Sequence, residues 1–424
     1  MLSDKKERIS WYLYDFANSV FTTSVITVFL GPYFTQLANN TADVNGKINL
    51  LGFINIAAGS FYPLIITISI ILLVLILPVL SAIADNTKYK KHILFSSAYI
   101  GAFATMGLFF ITDNNYQIGA ALFIIANVCY GLSCTIYNSY LNHISTKETT
   151  TRISSIGWAA GYMGGGLLLI FNLLLYNNAE AIGISSKDYA VRICLASAGI
   201  WWAIFSLFPL KYLRNYYSTK KENYQYKYKE NLINTFKNLK KNKKTLKFLL
   251  AYTLYNDGVQ AVIVLTALFA SEELGLTLDI ILLAILFVQF IAVIGSLLFN
   301  LIAKRKNNLF ALKLNLLLWI GAILFAFILL YDEYDFYVMC SIVGLTIGGT
   351  QAISRSIYSQ LIPVGKETEY FSIYELTEKA TSWLGPLIFA VVYHFTFSYR
   401  LAILSLVIFF VSGFVILIRN KISE

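Results

Sequence analysis

Hydrophobic residues in this chain form long, uninterrupted runs. Phe61–Ala84 and Leu401–Ile418 contain no charged side chain, and each is long enough to cross a hydrocarbon core of about 30 Å as a helix. The runs lack the alternation of a membrane β-barrel, which excludes that class. Apolar runs and polar breaks together predict twelve membrane-spanning helices, near residues 13–37, 60–84, 92–112, 117–140, 154–176, 189–210, 246–270, 280–302, 309–331, 336–360, 371–396 and 399–419.

The connections between these spans fall into a basic group and an acidic group. The basic connections follow even-numbered spans and contain Lys88, Lys90, Lys91, Lys147, Arg152, Lys304, Arg305 and Lys306. The acidic connections lie on the other side and contain Glu272, Glu273, Asp279, Asp332, Glu333 and Asp335. Because Lys and Arg accumulate on the cytoplasmic side, we expect a multi-pass protein of the bacterial cytoplasmic membrane with both termini inside. The polar segment Met1–Ser10 predicts no cleaved signal peptide.

Composition supports a membrane protein without enzymatic chemistry. Hydrophobic residues make up 57% of the 424 residues and charged residues only 13%, against roughly 25% charged in soluble domains. The net charge of +10 follows from the cytoplasmic basic loops, so nucleic-acid binding is not expected. Three scattered histidines and four cysteines inside apolar runs give no metal-ligand spacing and no disulfide framework. No catalytic motif appears, so we expect neither an enzyme nor a cofactor.

The chain divides near its midpoint. Lys211–Lys247 contains twelve basic and two acidic residues and predicts a cytoplasmic linker that lies against anionic lipid, with a specific regulatory site as the alternative. Several short segments of the first half weakly resemble segments of the second half. The sequence distance between matching segments falls by about 23 residues along the chain, which one insertion at Ala38–Gly59 explains. The predicted fold is all-α, with a six-helix half at 1–210, a linker at 211–245 and a second six-helix half at 246–424.

The turn after span two carries a recognisable pattern. Ser81 is followed at fixed spacing by Asp85, Asn86, Lys88 and the basic pair Lys90 and Lys91. This resembles the loop signature of the major facilitator superfamily, although Ser81 and Lys88 replace its glycines and Asn86 its first basic residue. An aspartate at a cytoplasmic helix end beside several cations predicts a conformational latch formed by Asp85, Lys90 and Lys91. A turn that is merely positive is the alternative.

A more specific resemblance extends along the whole chain. It is carried by WYLYDFANS at Trp11–Ser19, YNDGVQ at Tyr255–Gln260, GGTQAISRS at Gly348–Ser356, SIGWAAGY at Ser155–Tyr162 and KATSWLGP at Lys379–Pro386. These segments resemble the major facilitator branch that contains the fungal vacuolar effluxer and its bacterial "unknown major facilitator" relatives. Glu378 departs from the pattern, since a small residue often precedes this lysine. The resemblance implies a secondary transporter; amino acids are the cargo of the fungal member, and for bacterial members the cargo stays open.

Polar residues inside the spans are the candidate site, because an ionised group at a helix centre costs roughly 2.5–3.5 kcal/mol on insertion scales unless it is paired or hydrated. They recur at helical spacing, which places them on one face of each helix. The candidates for solute binding or coupling are Asp15, Asn18, Tyr137, Asn138, Asp257, Gln260, Gln351, Arg355, Glu375 and Lys379.

Each candidate has a structural alternative. Asp15 and Asp257 are also consistent with carboxylates at interfacial helix starts, Arg355 with a side chain that extends to the membrane surface, and Lys379 with a structural pair to Glu375. Glycines near Gly164 in span five predict close helix packing, with a hinge as the alternative. We expect a monomer in the bilayer that moves a small solute, with a coupling proton as one option. Amino acids are the first cargo hypothesis, and efflux of lipid-like or drug-like amphiphiles is the second.

Overall fold

The computed structural model describes residues 5–50, 54–216, 239 and 242–419, and most of the predicted linker lies outside these ranges. Helices account for nearly all of the described chain. They are α1 (Lys5–Val20), α2 (Leu30–Asn40), α3 (Phe61–Asn86), α4 (Lys90–Gly107), α5 (Tyr116–Ser139), α6 (Leu141–Ile144), α7 (Thr150–Asn177), α8 (Lys187–Tyr212), α9 (Lys243–Glu272), α10 (Leu278–Arg305), α11 (Asn308–Ile328), α12 (Glu333–Gln360), α13 (Glu367–Thr381), α14 (Leu384–Thr396), α15 (Tyr399–Ser405) and α16 (Val407–Arg419).

The first predicted span is a continuous helix over Lys5–Asn40 with a change of pitch in its middle. A π-helical segment, Phe21–Phe29, joins α1 to α2. π-Helical turns are rare and occur mostly at functional sites. The predicted insertion after this span contains a short antiparallel hairpin, β1 (Lys47–Leu50) and β2 (Ile54–Ala57).

Eleven helical segments of the described chain are long and apolar enough to cross a membrane. The remaining predicted span, at 371–396, is divided between α13 and α14, with Ser382 and Trp383 at the break. Pro386 explains the break locally. Proline has no N–H to donate to the carbonyl of Ser382, yet it is tolerated in the first turn of a helix that begins at Leu384.

The described residues group into two compact units. The first unit comprises the described parts of Asp4–Asn138 and Met163–Tyr224, and the second comprises Ser139–Tyr162 with the described chain beyond residue 225. Ser139–Tyr162, from the end of α5 to the first half of α7, therefore packs with helices of the predicted second half. The predicted division at residues 211–245 stays a prediction.

The core of the second unit is rich in aromatic residues and surrounds α12. This helix is buried at almost every position from Val343 to Ser359, so it lies inside the unit rather than against lipid. Glycine permits its close approach to α10. A Cβ at Gly348 would overlap the backbone of Ala292, and one at Gly295 the backbone of Leu345.

Candidate functional site

The densest charged group in the second unit lies on α13. Lys379 Nζ is 3.9 Å from Glu375 Oε1 and 3.7 Å from Glu378 Oε1. Glu375 is one helical turn before Lys379, which places both on the same face. The Lys379 side chain is 30% exposed, whereas that of Glu375 is 9% exposed. The lysine is therefore the accessible member of a charged triad formed by Glu375, Glu378 and Lys379.

A tyrosine stack packs beside this triad and holds one of its carboxylates. Tyr252 on α9 donates its hydroxyl to Glu378 Oε2 at 2.8 Å. Its ring stacks on Tyr374 of α13, with centroids 4.1 Å apart, and Tyr374 stacks on Tyr358 of α12 at 4.9 Å. Sequence reasoning missed these three tyrosines. All three lie near the ends of predicted spans, where membrane tyrosines concentrate, so the sequence contained no signal that distinguished them.

Arg355 on α12 lies buried beside the start of α7. Its Nε donates to Ser154 Oγ at 3.0 Å and its Nη2 to the Ser154 carbonyl at 2.8 Å. The guanidinium lies 5.0 Å from the Trp158 ring centroid. Arg355 is 2% exposed, so the alternative of a side chain that reaches the membrane surface is wrong. Arg355 and Tyr358, which belongs to the tyrosine stack, both lie on α12, three residues apart.

Further polar contacts join α6 and α7 to α11 and α12. Thr151 Oγ1 donates to Asn308 Oδ1 at 2.8 Å and lies 2.7 Å from Ser356 Oγ. Asn142 Nδ2 donates to the Ser359 carbonyl at 2.9 Å. Gln351, one turn before Arg355, is buried. Neighbouring turns of α12 thus contribute to one polar seam against Ser139–Tyr162, whose members lie more than 150 positions away in sequence.

Asp257 on α9 faces the break between α13 and α14. The residue is fully buried, and the Thr381 hydroxyl lies 2.7 Å from Asp257 Oδ1. Burial excludes an exposed interfacial carboxylate. Gln260, one turn further along, is partly buried. The structure thus brings Asp257 and Lys379 to neighbouring parts of α9 and α13, with the lysine between two glutamates.

The other four candidates lie in the first unit. Asn18 Nδ2 contacts Cys134 Sγ at 3.4 Å, and Asp15 is buried one turn earlier in α1. Tyr137 stacks on Trp11 with ring centroids 4.5 Å apart and is buried. Asn138, the next residue, is partly buried. These polar positions lie where α1 packs against α5, immediately before the π-helical segment.

The predicted latch residues meet at the turn between α3 and α4. Lys90 Nζ and Asp85 Oδ1 are 3.4 Å apart, and both side chains are buried. The Lys91 backbone N–H donates to Asn215 Oδ1 at 3.4 Å, and Asn215 Nδ2 donates to the Lys88 carbonyl at 2.6 Å. Asp85 and Lys90 therefore form an ion pair, while Lys91 takes part through its backbone.

Comparison with known proteins identifies the family. Residues 3–423 match the family model described as "Vacuole effluxer Atg22 like", and the chain belongs to this family. It is 27% identical to the uncharacterized MFS-type transporter YxiO of Bacillus subtilis over 426 residues, covering 97% of this chain and 94% of the relative. It is also 27% identical to autophagy-related protein 22 of Vanderwaltozyma polyspora over 462 residues, covering 93% of this chain and 87% of the relative.

Solved structures show the same fold. The E. coli fucose:proton symporter FucP superposes with a TM-score of 0.74 at 13% identity, covering 99% of this chain and 98% of that one. The proton:xylose symporter XylE bound to 6-bromo-6-deoxy-D-glucose gives a TM-score of 0.73 at 13% identity, covering 98% and 95%. The predicted major facilitator fold is confirmed, and the protein is a multi-pass membrane transporter rather than an enzyme.

Proposed function

We propose that this transporter moves zwitterionic amino acids and binds them in the second unit at a charged aromatic cluster. This cluster consists of Tyr252, Arg355, Tyr374, Glu375, Glu378 and Lys379. The observation that carries the proposal is the triad on α13, where Lys379 lies within 4 Å of two carboxylates. Opposite charges this close within a predicted membrane span match a solute that itself carries both signs.

The two ends of an amino acid have distinct partners in this arrangement. Glu378, oriented by the Tyr252 hydroxyl, receives the ammonium group. The solute carboxylate displaces a glutamate at Lys379, whose side chain is the most exposed in the triad. Arg355 stays bonded to Ser154 and contributes a fixed positive charge from α12. With two acids and two bases, the cluster is close to neutral and favours a solute without net charge.

Efflux of lipid-like or drug-like amphiphiles is the second hypothesis, and the packing of the tyrosines argues against it. Rings that bind an apolar tail must present their faces to the ligand. In the second unit, Tyr252, Tyr358 and Tyr374 stack on one another and are buried. Little ring surface is therefore available to bind the apolar tail of an amphiphile.

The orientation of the protein also belongs to this proposal. We place both termini and the basic linker in the cytoplasm, because loops rich in Lys and Arg remain on the cytoplasmic side of a membrane. The membrane is then the bacterial cytoplasmic membrane. Transport proceeds by alternating access, with Asp15, Asn18, Tyr137 and Asn138 as the contribution of the first unit to solute binding or coupling.

The test is exchange of radiolabelled amino acids by purified protein in liposomes. Lys379→Ala and Glu378→Gln are expected to lower the exchange rate by more than about tenfold, since each removes a charge-assisted contact of about 1.5–3 kcal/mol. Lys366→Ala is the matched control, because Lys366 also pairs with a glutamate on its own helix, at 3.3 Å, and has a similarly accessible side chain. The control is expected to exchange at the wild-type rate.

Two results would overturn the cargo. Exchange that is unchanged in Lys379→Ala removes the triad from the site. Failure of every amino acid, combined with movement of a fluorescent amphiphile, supports the second hypothesis. A solute-induced rise in the unfolding temperature identifies the ligand class independently, because a ligand selective for the folded state stabilises it by mass action.

A further inference from the structure

The break between α13 and α14 lies against α9 at Asp257. Thr381 is the last residue of α13, and Leu384 begins α14. Gly385 permits the close approach of α14, because a Cβ at that position would lie 3.0 Å from the Asp257 carbonyl oxygen and would also overlap Ala261. The ends of two half-helices and a buried carboxyl group therefore meet at one point inside the second unit.

The hydrogen-bond distances around Thr381 indicate whether the Asp257 carboxyl group carries a proton. Thr381 Oγ1 lies 2.7 Å from Asp257 Oδ1 and 2.9 Å from the Thr377 carbonyl oxygen. A hydroxyl has a single proton to donate. When Thr381 donates to the carbonyl of Thr377, the contact with Oδ1 is a hydrogen bond only if the aspartic acid donates. The protonated acid therefore satisfies both short contacts at once.

The second carboxyl oxygen favours the same state. Among the described residues, Asp257 Oδ2 has no hydrogen-bond partner, and the side chain is fully buried. An ionised carboxylate needs several donors or a cation to offset its lost hydration, whereas a neutral acid needs far less. In the described chain the adjacent Asn256 also has no partner at either amide atom. This turn of α9 thus retains donors and acceptors that a second conformation can use.

Most charged groups on the helices around Asp257 lie at other positions along the helix axes. The nearest along α13 is Lys379, two residues before Thr381, and it contacts Glu375 and Glu378. The other titratable or charged groups on helices packed against α9 are Glu333, Tyr334, Asp335, Tyr337, Cys340, Arg355 and Tyr358 on α12, Glu367, Glu369, Tyr370 and Tyr374 on α13, Tyr393 and His394 on α14, Tyr399 and Arg400 on α15, Arg419 on α16, and Asp279, Lys304 and Arg305 near the ends of α10.

We propose that Asp257 is the proton-binding site that couples transport to a proton gradient, and that its protonation closes the break between α13 and α14 against α9. The proton binds Oδ1 and is donated to Thr381 Oγ1, which donates onward to the Thr377 carbonyl. Loss of the proton leaves a buried negative charge with one donor, and this charge favours a conformation in which water reaches the break. The proposal rests on the transporter fold and does not require an amino acid as cargo.

Infrared spectroscopy of purified protein in lipid, at neutral pH and without solute, tests this assignment. The carbonyl stretch of a protonated carboxyl group is separate from the bands of carboxylates and shifts in heavy water. The wild type is expected to show this band, and Asp257→Asn to lose it while its unfolding temperature stays near that of the wild type. Thr381→Val keeps the band at a shifted frequency, because the acid loses its acceptor. The double variant Asp85→Asn, Lys90→Met is the matched control, since it removes a buried aspartate together with its ion-pair partner, and its spectrum keeps the band.

Two outcomes overturn the proposal. A band that is absent from the wild type, or that survives in Asp257→Asn, shows that this residue carries no proton. Alternatively, sodium chloride could raise the unfolding temperature of the wild type above its value in choline chloride while leaving Asp257→Asn unchanged. That result assigns a sodium ion to the site in place of the proton. Neither measurement uses a transported solute, so either failure is separate from failure of the amino-acid proposal.

Discussion

Asp85 at the end of α3 and Lys90 at the start of α4 form an ion pair of 3.4 Å with both side chains buried. The pair joins two consecutive helices across a turn of three residues, Thr87 to Tyr89. Its geometry agrees with the latch predicted from the loop signature, but burial changes the energetic consequence. A surface pair contributes little to stability, whereas removal of one partner of a buried pair leaves the other charge without compensation.

We predict that Asp85→Asn destabilises the protein by about 3–5 kcal/mol, the usual cost of a buried charge that loses its partner. The double variant Asp85→Asn, Lys90→Met removes both charges and is expected to recover much of that loss. Thermal unfolding in detergent compares the variants. Equal stability of the single and double variants would show that the pair is not coupled. In liposomes, the double variant is expected to interconvert slowly between its two access states while it keeps its ligand affinity.

Tyr252 has two roles, since its ring stacks on Tyr374 and its hydroxyl donates to Glu378. A substitution that removes only the hydroxyl separates them. Tyr252→Phe retains the stacked ring and removes the hydroxyl that donates to the carboxylate at 2.8 Å. Since a hydrogen bond to a charged group contributes about 1.5–3 kcal/mol, we expect solute affinity to fall about tenfold or more. Tyr358→Phe is the control, because its hydroxyl donates to the backbone carbonyl of Tyr370 at 2.7 Å. Equal losses of affinity, measured by equilibrium binding, would exclude a specific role of Glu378.

Substitution of Gly164 in α7 tests whether this glycine permits close helix packing or acts as a hinge. A Cβ at this position would overlap the backbone of Phe16 in α1, so Gly164→Ala is expected to lower the unfolding temperature. Gly321 in α11 has no atom within 4 Å of its Cβ position. Gly321→Ala is therefore expected to raise stability by up to about 1 kcal/mol through helix propensity. An unchanged unfolding temperature in Gly164→Ala would contradict the packing role of Gly164 and would favour the alternative that it is a hinge.

The orientation predicts the location of the linker. A reporter inserted within residues 216–229 is expected to be cytoplasmic, because this basic segment follows the sixth span. Labelling of a single introduced cysteine by an impermeant reagent measures this in intact cells and in inverted vesicles. A control cysteine at Tyr334, an exposed residue at the start of α12, is expected to label from the opposite side. Labelling of the linker from outside would contradict both the orientation and the proposed two-repeat arrangement.

Much of the architecture follows from local properties of the chain. A membrane helix must satisfy its own backbone hydrogen bonds and present about twenty apolar residues to lipid, so hydropathy alone located the spans. The motif grouped Asp85 with Lys90, five residues later, in one predicted latch, and their side chains lie 3.4 Å apart. Glu375 and Lys379 are similarly close, at one helical turn, and helical spacing predicted their contact.

The break between α13 and α14 required the tertiary structure. Pro386 is visible in the sequence, but Pro78 and Pro209 lie inside continuous helices, so proline alone does not mark a break. Polar residues occur on both sides of Thr381, from Glu375 to Ser382, so the sequence showed no sharp boundary and predicted one uninterrupted span. After the break, α14 packs through Gly385 against α9, a helix more than 100 positions earlier, and this contact is visible only in the folded structure.

The partners of the buried polar groups were also decided by helix packing. Sequence spacing places Asp257, Arg355 and Lys379 on helix faces, but it contains no information about which helices cross. The structure pairs Asp257 with Thr381, Arg355 with Ser154 and Glu378 with Tyr252, each separated by more than 120 positions. Local periodicity determines which side of a helix is polar. The identity of the partner depends on contacts between helices that are distant in the chain, and only the folded structure brings them together.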